Sequence, residues 1–195
     1  VSDRQSVSEN KDWCTPPEYT AKIRDFFGGV IHLDPCSNTE SSVGALTTYQ
    51  LPTDGLNESW DFPTIYVNPP YGYDRARGTR IGTWVRRCSV AHVEHGSEII
   101  SLIPTATNTA YWQDLVFKYT HAVCFIREPR VKFYVKRGEK TKGAPMACSF
   151  LYWGTRVEAF CSAFGGHFGT CFPTEGAAFE RASLFDTLLD LIEDE

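Results

Sequence analysis

The chain has 195 residues, of which 42% are hydrophobic and 22% charged, with a net charge of −5. That balance fits a globular protein with enough chain for one sizeable core, and no apolar run reaches the ~18 residues that a membrane-spanning helix needs. The seven cysteines are odd in number and contain no CxxC pair, which argues against a disulfide framework or a zinc site and for a reduced, cytoplasmic setting.

Residues 1–12 are polar and carry no apolar h-region, so a frayed start without a secretory signal is expected. Thr15-Pro16-Pro17-Glu18 predicts a helix start, with Thr15 as cap and proline in the first turn, running to about Phe27 and stopping at Gly28-Gly29. Val30 to Asp34 predicts a short strand ending in a carboxylate. Residues 35–59 are turn-rich, with at most a short helix and a short strand. The next strand is Thr64 to Asn68. Ile81, Trp84, Val85, Cys88 and Ala91 recur at helical spacing within 80–93. Glu98 to Pro104 is a continuous apolar strand of the parallel, doubly covered kind. A helix over 110–119 and a strand over 122–126 follow. Val131 to Val135 and Cys148 to Trp153 read as the two arms of a long hairpin. A short helix over 155–163 and an amphipathic one over 177–193, apolar at Phe179, Ala182, Phe185, Leu188, Leu189 and Ile192, complete the pattern.

Strands alternating with helices predict an α/β fold: a mostly parallel sheet, helices on both faces, and an antiparallel hairpin strand at or near one edge. Residues 13–195 form a single domain in this reading. Ligands of such sheets bind beyond the carboxyl ends of the strands. Asp34, Asn68 and Pro104 each end a strand and belong on that rim.

Val67-Asn68-Pro69-Pro70-Tyr71-Gly72 is the most informative stretch on the rim. Two prolines cannot donate to a strand ladder, so the strand stops there. The Asn68 side-chain carbonyl and the backbone carbonyls of 68 and 69 are acceptors, and Tyr71 supplies a flat face. Together they suit a planar substrate bearing an NH2 group. The bland alternative is a strand-terminating turn with a surface tyrosine.

Charge adds a second signal. Twelve of the nineteen basic residues fall in two stretches, 72–90 and 127–142. Arg75, Arg77 and Arg80 follow the Asn-Pro-Pro-Tyr turn directly. Arg127, Arg130, Lys132, Lys136, Arg137, Lys140 and Lys142 form the second group, with Phe133 among them. A basic face on an acidic body is the footprint of phosphate binding, as against two solvated loops.

These motifs resemble the compact phage-type, Dam-like family of DNA adenine-N6 methyltransferases. Asn68-Pro69-Pro70-Tyr71 is similar to that family's catalytic (D/N/S)PP(Y/F) motif. Trp13-Cys14-Thr15-Pro16-Pro17 resembles its cofactor-binding TPP segment, Asp34-Pro35-Cys36 its DP motif, and Asp54-Gly55-Leu56 with Trp60 another recurrent stretch. The order TPP, DP, NPPY is that of the γ-type amino-methyltransferases, and the likeness covers roughly residues 12–155.

The resemblance implies a Rossmann-like class I methyltransferase fold, S-adenosylmethionine as cofactor and DNA as partner, with no metal and no membrane. It implies that Trp13, Thr15, Pro17, Asp34, Pro35 and Cys36 line the cofactor pocket. Asp34 is otherwise a strand-end cap. Asp54 accepts from the cofactor adenine or closes a simple Asp-Gly turn. Asn68, Pro69, Pro70 and Tyr71 hold the flipped base, and the basic residues hold its backbone. Phe133 adds a second stacking face or packs in the core. Where relatives carry a glycine-rich turn after DP, this chain has Asn38 and Glu40. No segment is long enough for a separate target-recognition domain, so a short or relaxed recognition site is expected. Both phage protection and bacterial restriction-modification fit. The rival readings are the same chemistry on cytosine N4, RNA adenine or protein glutamine, and a non-catalytic nucleic-acid-binding protein.

Overall fold

The computed structural model describes residues 13–128, 130–136, 139–140, 144 and 146–178, with the side chains of 135, 136, 139 and 140 left out. The expected frayed segment 1–12, the helix expected over 177–193 from residue 179 onward, and Arg137 and Lys142 lie outside the described residues.

In chain order the elements are α1 (Pro17–Phe26), β1 (Leu33–Asp34), β2 (Thr47–Thr48), β3 (Thr64–Val67), α2 (Ile81–His95), β4 (Glu98–Pro104), α3 (Phe117–Tyr119), β5 (Ala122–Ile126), β6 (Tyr134–Lys136), β7 (Glu139–Lys140), β8 (Cys148–Trp153), α4 (Val157–Phe164) and β9 (Gly169–Pro173). A π-helical turn, Trp112–Val116, leads into α3, and 3-10 turns span Gly55–Asn57 and Glu175–Ala178. The α1 helix ends where Gly28 and Gly29 take positive φ, at 78° and 103°, conformations that cost glycine little. Its start differs from expectation. Pro16 is the N-cap, with no side-chain cap bond, because the Thr15 hydroxyl is engaged elsewhere.

The main sheet has the order β2-β1-β3-β4-β8-β5-β9. The pairs β1·β2, β1·β3 and β3·β4 are parallel. β8 lies antiparallel between β4 and β5, and β9 pairs antiparallel with β5. Five strands therefore share one direction, which makes this the Rossmann-like α/β arrangement.

The long hairpin is not formed. Residues of the first expected arm pair instead within the small β6·β7 sheet, while all six β8 residues are buried. A strand buried on both faces belongs in a sheet interior, not at an edge. β9 was not anticipated; it is five residues long, with glycine and proline at its ends.

Alternate strand residues feed two cores. Ile65, Val67, Ile99, Ile103, Leu151 and Trp153 pack with α2 and the π-helical turn. Tyr66, Ile100, Leu102, Phe150 and Tyr152 pack with α1 and α4 on the other face.

The 54–60 segment braces β1 from outside the sheet. Trp60 is fully buried, and its Nε1 donates to the Gly55 carbonyl at 2.7 Å. This holds Gly55 so close to the strand end that a Cβ there would lie 1.9 Å from the Pro35 carbonyl oxygen. Gly55→Ala, usually a mild change, is therefore expected to destabilise by about 1–3 kcal/mol through overpacking, measured by urea denaturation. Unchanged stability would show that the Pro35 turn yields freely.

Candidate active site

Because β1, β3 and β4 are parallel, Asp34, Asn68 and Pro104 reach one rim. The segment 13–15 crosses that rim. Its contacts with β3 form two rungs: Thr15 Oγ1 and the Tyr66 hydroxyl share a buried 2.7 Å hydrogen bond, and Asn68 Nδ2 donates to the Trp13 carbonyl at 3.2 Å. Residues 66 and 68 face the same side of the strand, so period-2 alternation aligns both contacts. The second rung fixes the Asn68 amide. Its NH2 group meets a carbonyl, so its Oδ1 points away from Trp13 as an acceptor.

The segment is held from its other side by β6. Cys14 N–H donates to the Tyr134 carbonyl at 2.8 Å, and Tyr134 N–H donates back at 3.0 Å. The Trp13 ring stacks on Phe133, with centroids 5.3 Å apart, and stands edge-on to Tyr71 at 6.3 Å. Tyr71 meets Phe133 edge-on at 5.9 Å and donates its hydroxyl to the Leu102 carbonyl at 3.2 Å. Burial pushes the Tyr71 and Tyr66 hydroxyls well above the usual tyrosine range, so both remain protonated. Phe133 is 1% exposed. Of its two expected roles, packing is the one it fills in this conformation, since Trp13 covers its face.

Asp34 ends β1 and is 3% exposed. Its carboxylate accepts from the Cys36 N–H and the Ser41 hydroxyl, both at 3.3 Å, and from the Ser37 side chain. No basic group is among the influences on it, and burial raises its pKa from 3.8 to about 6 despite these bonds. Cys36 beside it is likewise pushed up, by burial first and then by Asp34.

The turn after Asp34 needs no glycine. Among the described residues no non-glycine residue has positive φ, so Asn38 does not stand in for a left-handed glycine. Its Oδ1 accepts the Glu40 N–H at 2.9 Å and the Cys14 thiol at 3.4 Å. Glu40 is exposed and clear of the rim. A side chain thus closes this turn without any left-handed backbone.

Asp54 caps the 3-10 turn, accepting from the Leu56 N–H at 3.2 Å. It also accepts from Arg77 Nη1 at 3.1 Å, while Arg77 Nε and Nη2 engage Asp74, each at 3.0 Å. Arg77 thus ties the loop after Tyr71 to the 54–57 turn. Arg75, Arg80, Arg130 and Lys132 are exposed. The Arg80 guanidinium lies over Tyr73 at 4.8 Å, and Lys132 pairs with Glu128 at 3.6 Å. Lys136 and Lys140 are placed in β6 and β7 by their backbones. Both basic stretches leave the rim, one after β3 and one after β5. The sequence reading missed Tyr66. Its signal was a tyrosine hydroxyl inside a fully buried strand, two residues before Asn68.

A parallel strand ending in Asn-Pro-Pro-Tyr thus lies beside one ending in a buried carboxylate. Residues 3–160 match the family model described as DNA N-6-adenine-methyltransferase (Dam), and the chain belongs to that family. No curated protein and no solved structure matches it. Among the described residues no helix is long and apolar enough to cross a membrane, and no cluster of three His, Cys, Asp or Glu side chains suits a metal ion.

The raised Asp34 pKa has a defined sign. Between about 4 and about 6 the folded protein holds a proton that the unfolded chain releases, so stability falls as pH rises through that window and levels off above it. At ~1.4 kcal/mol per pH unit of displacement, Asp34→Asn is expected to stabilise the ligand-free protein at pH 7.5 by on the order of 3 kcal/mol and to flatten the slope. Urea denaturation between pH 4 and 8 measures both; an unaltered slope would remove Asp34 as its source.

Proposed function

We propose that the chain transfers a methyl group from S-adenosylmethionine to the N6 amino group of adenine in DNA, acting on a base rotated out of the helix. Membership of the DNA adenine methyltransferase family supports the reaction class. The observation that carries the reading of the site is the Asn68 amide, whose NH2 is spent on the Trp13 carbonyl and whose Oδ1 is thereby presented as an acceptor.

The donor set fits the cofactor. Asp34 is a buried carboxylate met only by neutral donors, and a cationic ammonium or a pair of ribose hydroxyls would supply the partner that burial otherwise denies it. Trp13, Thr15, Pro17, Pro35 and Cys36 would line the remainder, with Asp54 at the far side through the oxygen not engaged by Arg77. The bound cofactor supplies an electrophilic methyl group on a sulfonium.

The protein's part is to hold and polarise the target amine. Asn68 Oδ1 and the Pro69 carbonyl each accept one of its two N–H groups. Drawing on both hydrogens moves the nitrogen toward tetrahedral geometry and takes its lone pair out of conjugation with the ring. Transfer would break the methyl C–S bond and leave a neutral thioether, and the cationic amine could then lose its proton to water, so no strong base is needed beforehand. Pro70 stiffens the turn. Tyr71 offers an aromatic face to the base if it swings from the Leu102 carbonyl.

Arg75, Arg80, Arg130 and Lys132, with the basic segment 136–142, are suited to hold the phosphates while the base is extruded, which costs a few kcal/mol. A single domain covering residues 13–195 then reads a short or relaxed site through these two loops.

Incubation with labelled cofactor and separate DNA, RNA and protein acceptors tests the proposal, followed by nucleoside mass analysis. N6-methyladenine in the DNA is expected; label in N4-methylcytosine, RNA or protein only would refute it. Asn68→Ala is expected to lower turnover by at least 100-fold while leaving cofactor affinity within a few-fold. DNA affinity should fall with salt at a log–log slope of about −0.9 per phosphate contact. Replacing Arg75 and Arg80 by alanine should make that slope shallower by about 2, measured by anisotropy from 50 to 200 mM salt. A salt-independent affinity would remove the clamp.

A further inference from the structure

We infer that the Trp13 carbonyl makes position 68 specific for asparagine in this chain, and that Trp13 is a positioning residue for the acceptor that grips the target amine. The inference rests on the reading of Asn68 as that acceptor, and it goes further by naming what sets its orientation.

The geometry is a fixed acceptor facing a side chain with two unlike ends. The Trp13 carbonyl is held in place by its neighbours. Cys14 is bridged to Tyr134 by two backbone hydrogen bonds, at 2.8 and 3.0 Å, and the Trp13 ring is stacked on buried Phe133. The Ser42 hydroxyl donates to the Thr15 carbonyl at 3.1 Å, and Thr15 is bonded to Tyr66. A carbonyl fixed this way can only be met by a donor. Asn68 satisfies it with Nδ2 at 3.2 Å and keeps its oxygen for the substrate. The flipped amide would set two acceptors against each other in a part-buried contact.

An ionised aspartate at 68 has no proton to give. It would rotate away from Trp13, losing the acceptor's placement, or take up a proton and donate it to the Trp13 carbonyl, leaving its second oxygen where Asn68 Oδ1 stood. Position 68 in Asn68→Asp therefore works only in its protonated form. The other groups around it act in both directions. The Cys36 thiol meets the residue 68 backbone, and Asp34 from β1 and Arg77 from the following loop both act on that thiol. Tyr66 and Tyr71, from β3 and its turn, stay protonated and neutral. Asp34 adds to the upward push on an aspartate at 68, and Arg77 opposes it.

The test is Asn68→Asp, read in two ways. Carbon-13 NMR titration of the introduced carboxyl in the ligand-free protein needs no activity. A midpoint at least one pH unit above the ordinary ~3.9 is expected, and a midpoint at or below it overturns the inference. Methylation rates from pH 5.5 to 8.5 give the second reading. The variant's rate, relative to wild type at the same pH, should be down at least 100-fold at pH 8 and climb about tenfold per pH unit toward acid. A ratio that stays flat across the range overturns it. If the variant does not fold, the wild-type Asn68 side-chain NH2 decides. One of its protons is expected to exchange with solvent at least tenfold more slowly than in a free asparagine amide, and equal exchange of both refutes the contact. A raised midpoint in a protein with no methyltransferase activity would sink the proposed function, and would leave standing only the orientation of position 68 by the Trp13 carbonyl. Wild-type activity with a flat ratio and an ordinary midpoint would do the reverse.

Discussion

The site depends on one short crossing: three residues, 13–15, laid over the end of β3. Two of its contacts go to that strand, at Tyr66 and Asn68. Others go to the turn after Asp34, through Asn38 and Ser42, and to Tyr134 of β6. Each such bond contributes only about 1 kcal/mol net. Their combined effect is geometric. They fix the Asn-Pro-Pro-Tyr turn, the carboxylate turn and the start of the β6·β7 unit relative to one another, although these parts lie far apart in sequence. A strand that ends in two prolines cannot orient its own last side chain through ladder hydrogen bonds, so the orientation has to come from a neighbouring segment.

The same crossing explains which parts of the chain could be read in advance. β4 and β5 were legible to the residue because continuous apolar runs closed by proline or by a basic turn leave little choice. The Asn-Pro-Pro-Tyr turn was legible because proline chemistry is local. Thr15 was misread as a helix cap because its hydroxyl has two possible partners, one local and one 51 residues away, and only the fold brings Tyr66 within reach. The hairpin failed for a related reason. Residues 131–135 and 148–153 both look like strands, but which strands they pair with is a long-range property. The better clue was that Cys148–Trp153 is apolar without alternation, which belongs to an interior strand. The turn after Asp34 lacks glycines, and only the fold shows that the Asn38 side chain closes it by accepting the Glu40 N–H.

Counting basic residues overstates how much positive charge faces outward. Arg77 stands between two exposed arginines, yet its guanidinium is committed to Asp54 and Asp74 and holds Asp74 below the usual carboxylate range. A charge so placed steers little and braces much: it joins the loop behind Tyr71 to the turn that Trp60 supports. Arg75 and Arg80, on either side, keep their exposure. Sequence shows where positive charge is concentrated, and only the folded arrangement shows which part of it faces outward.

The placement of β8 has a consequence for how the chain comes together. It joins β4 to β5, yet it is synthesised after both, with more than twenty residues between the end of β5 and its first residue. Until it arrives, a nascent chain carries a four-stranded half-sheet with a raw β4 edge and a single unpaired strand, β5, each a template for unwanted pairing. The keystone is set late, and during translation those edges depend on the ribosome, on chaperones or on speed to stay unpaired.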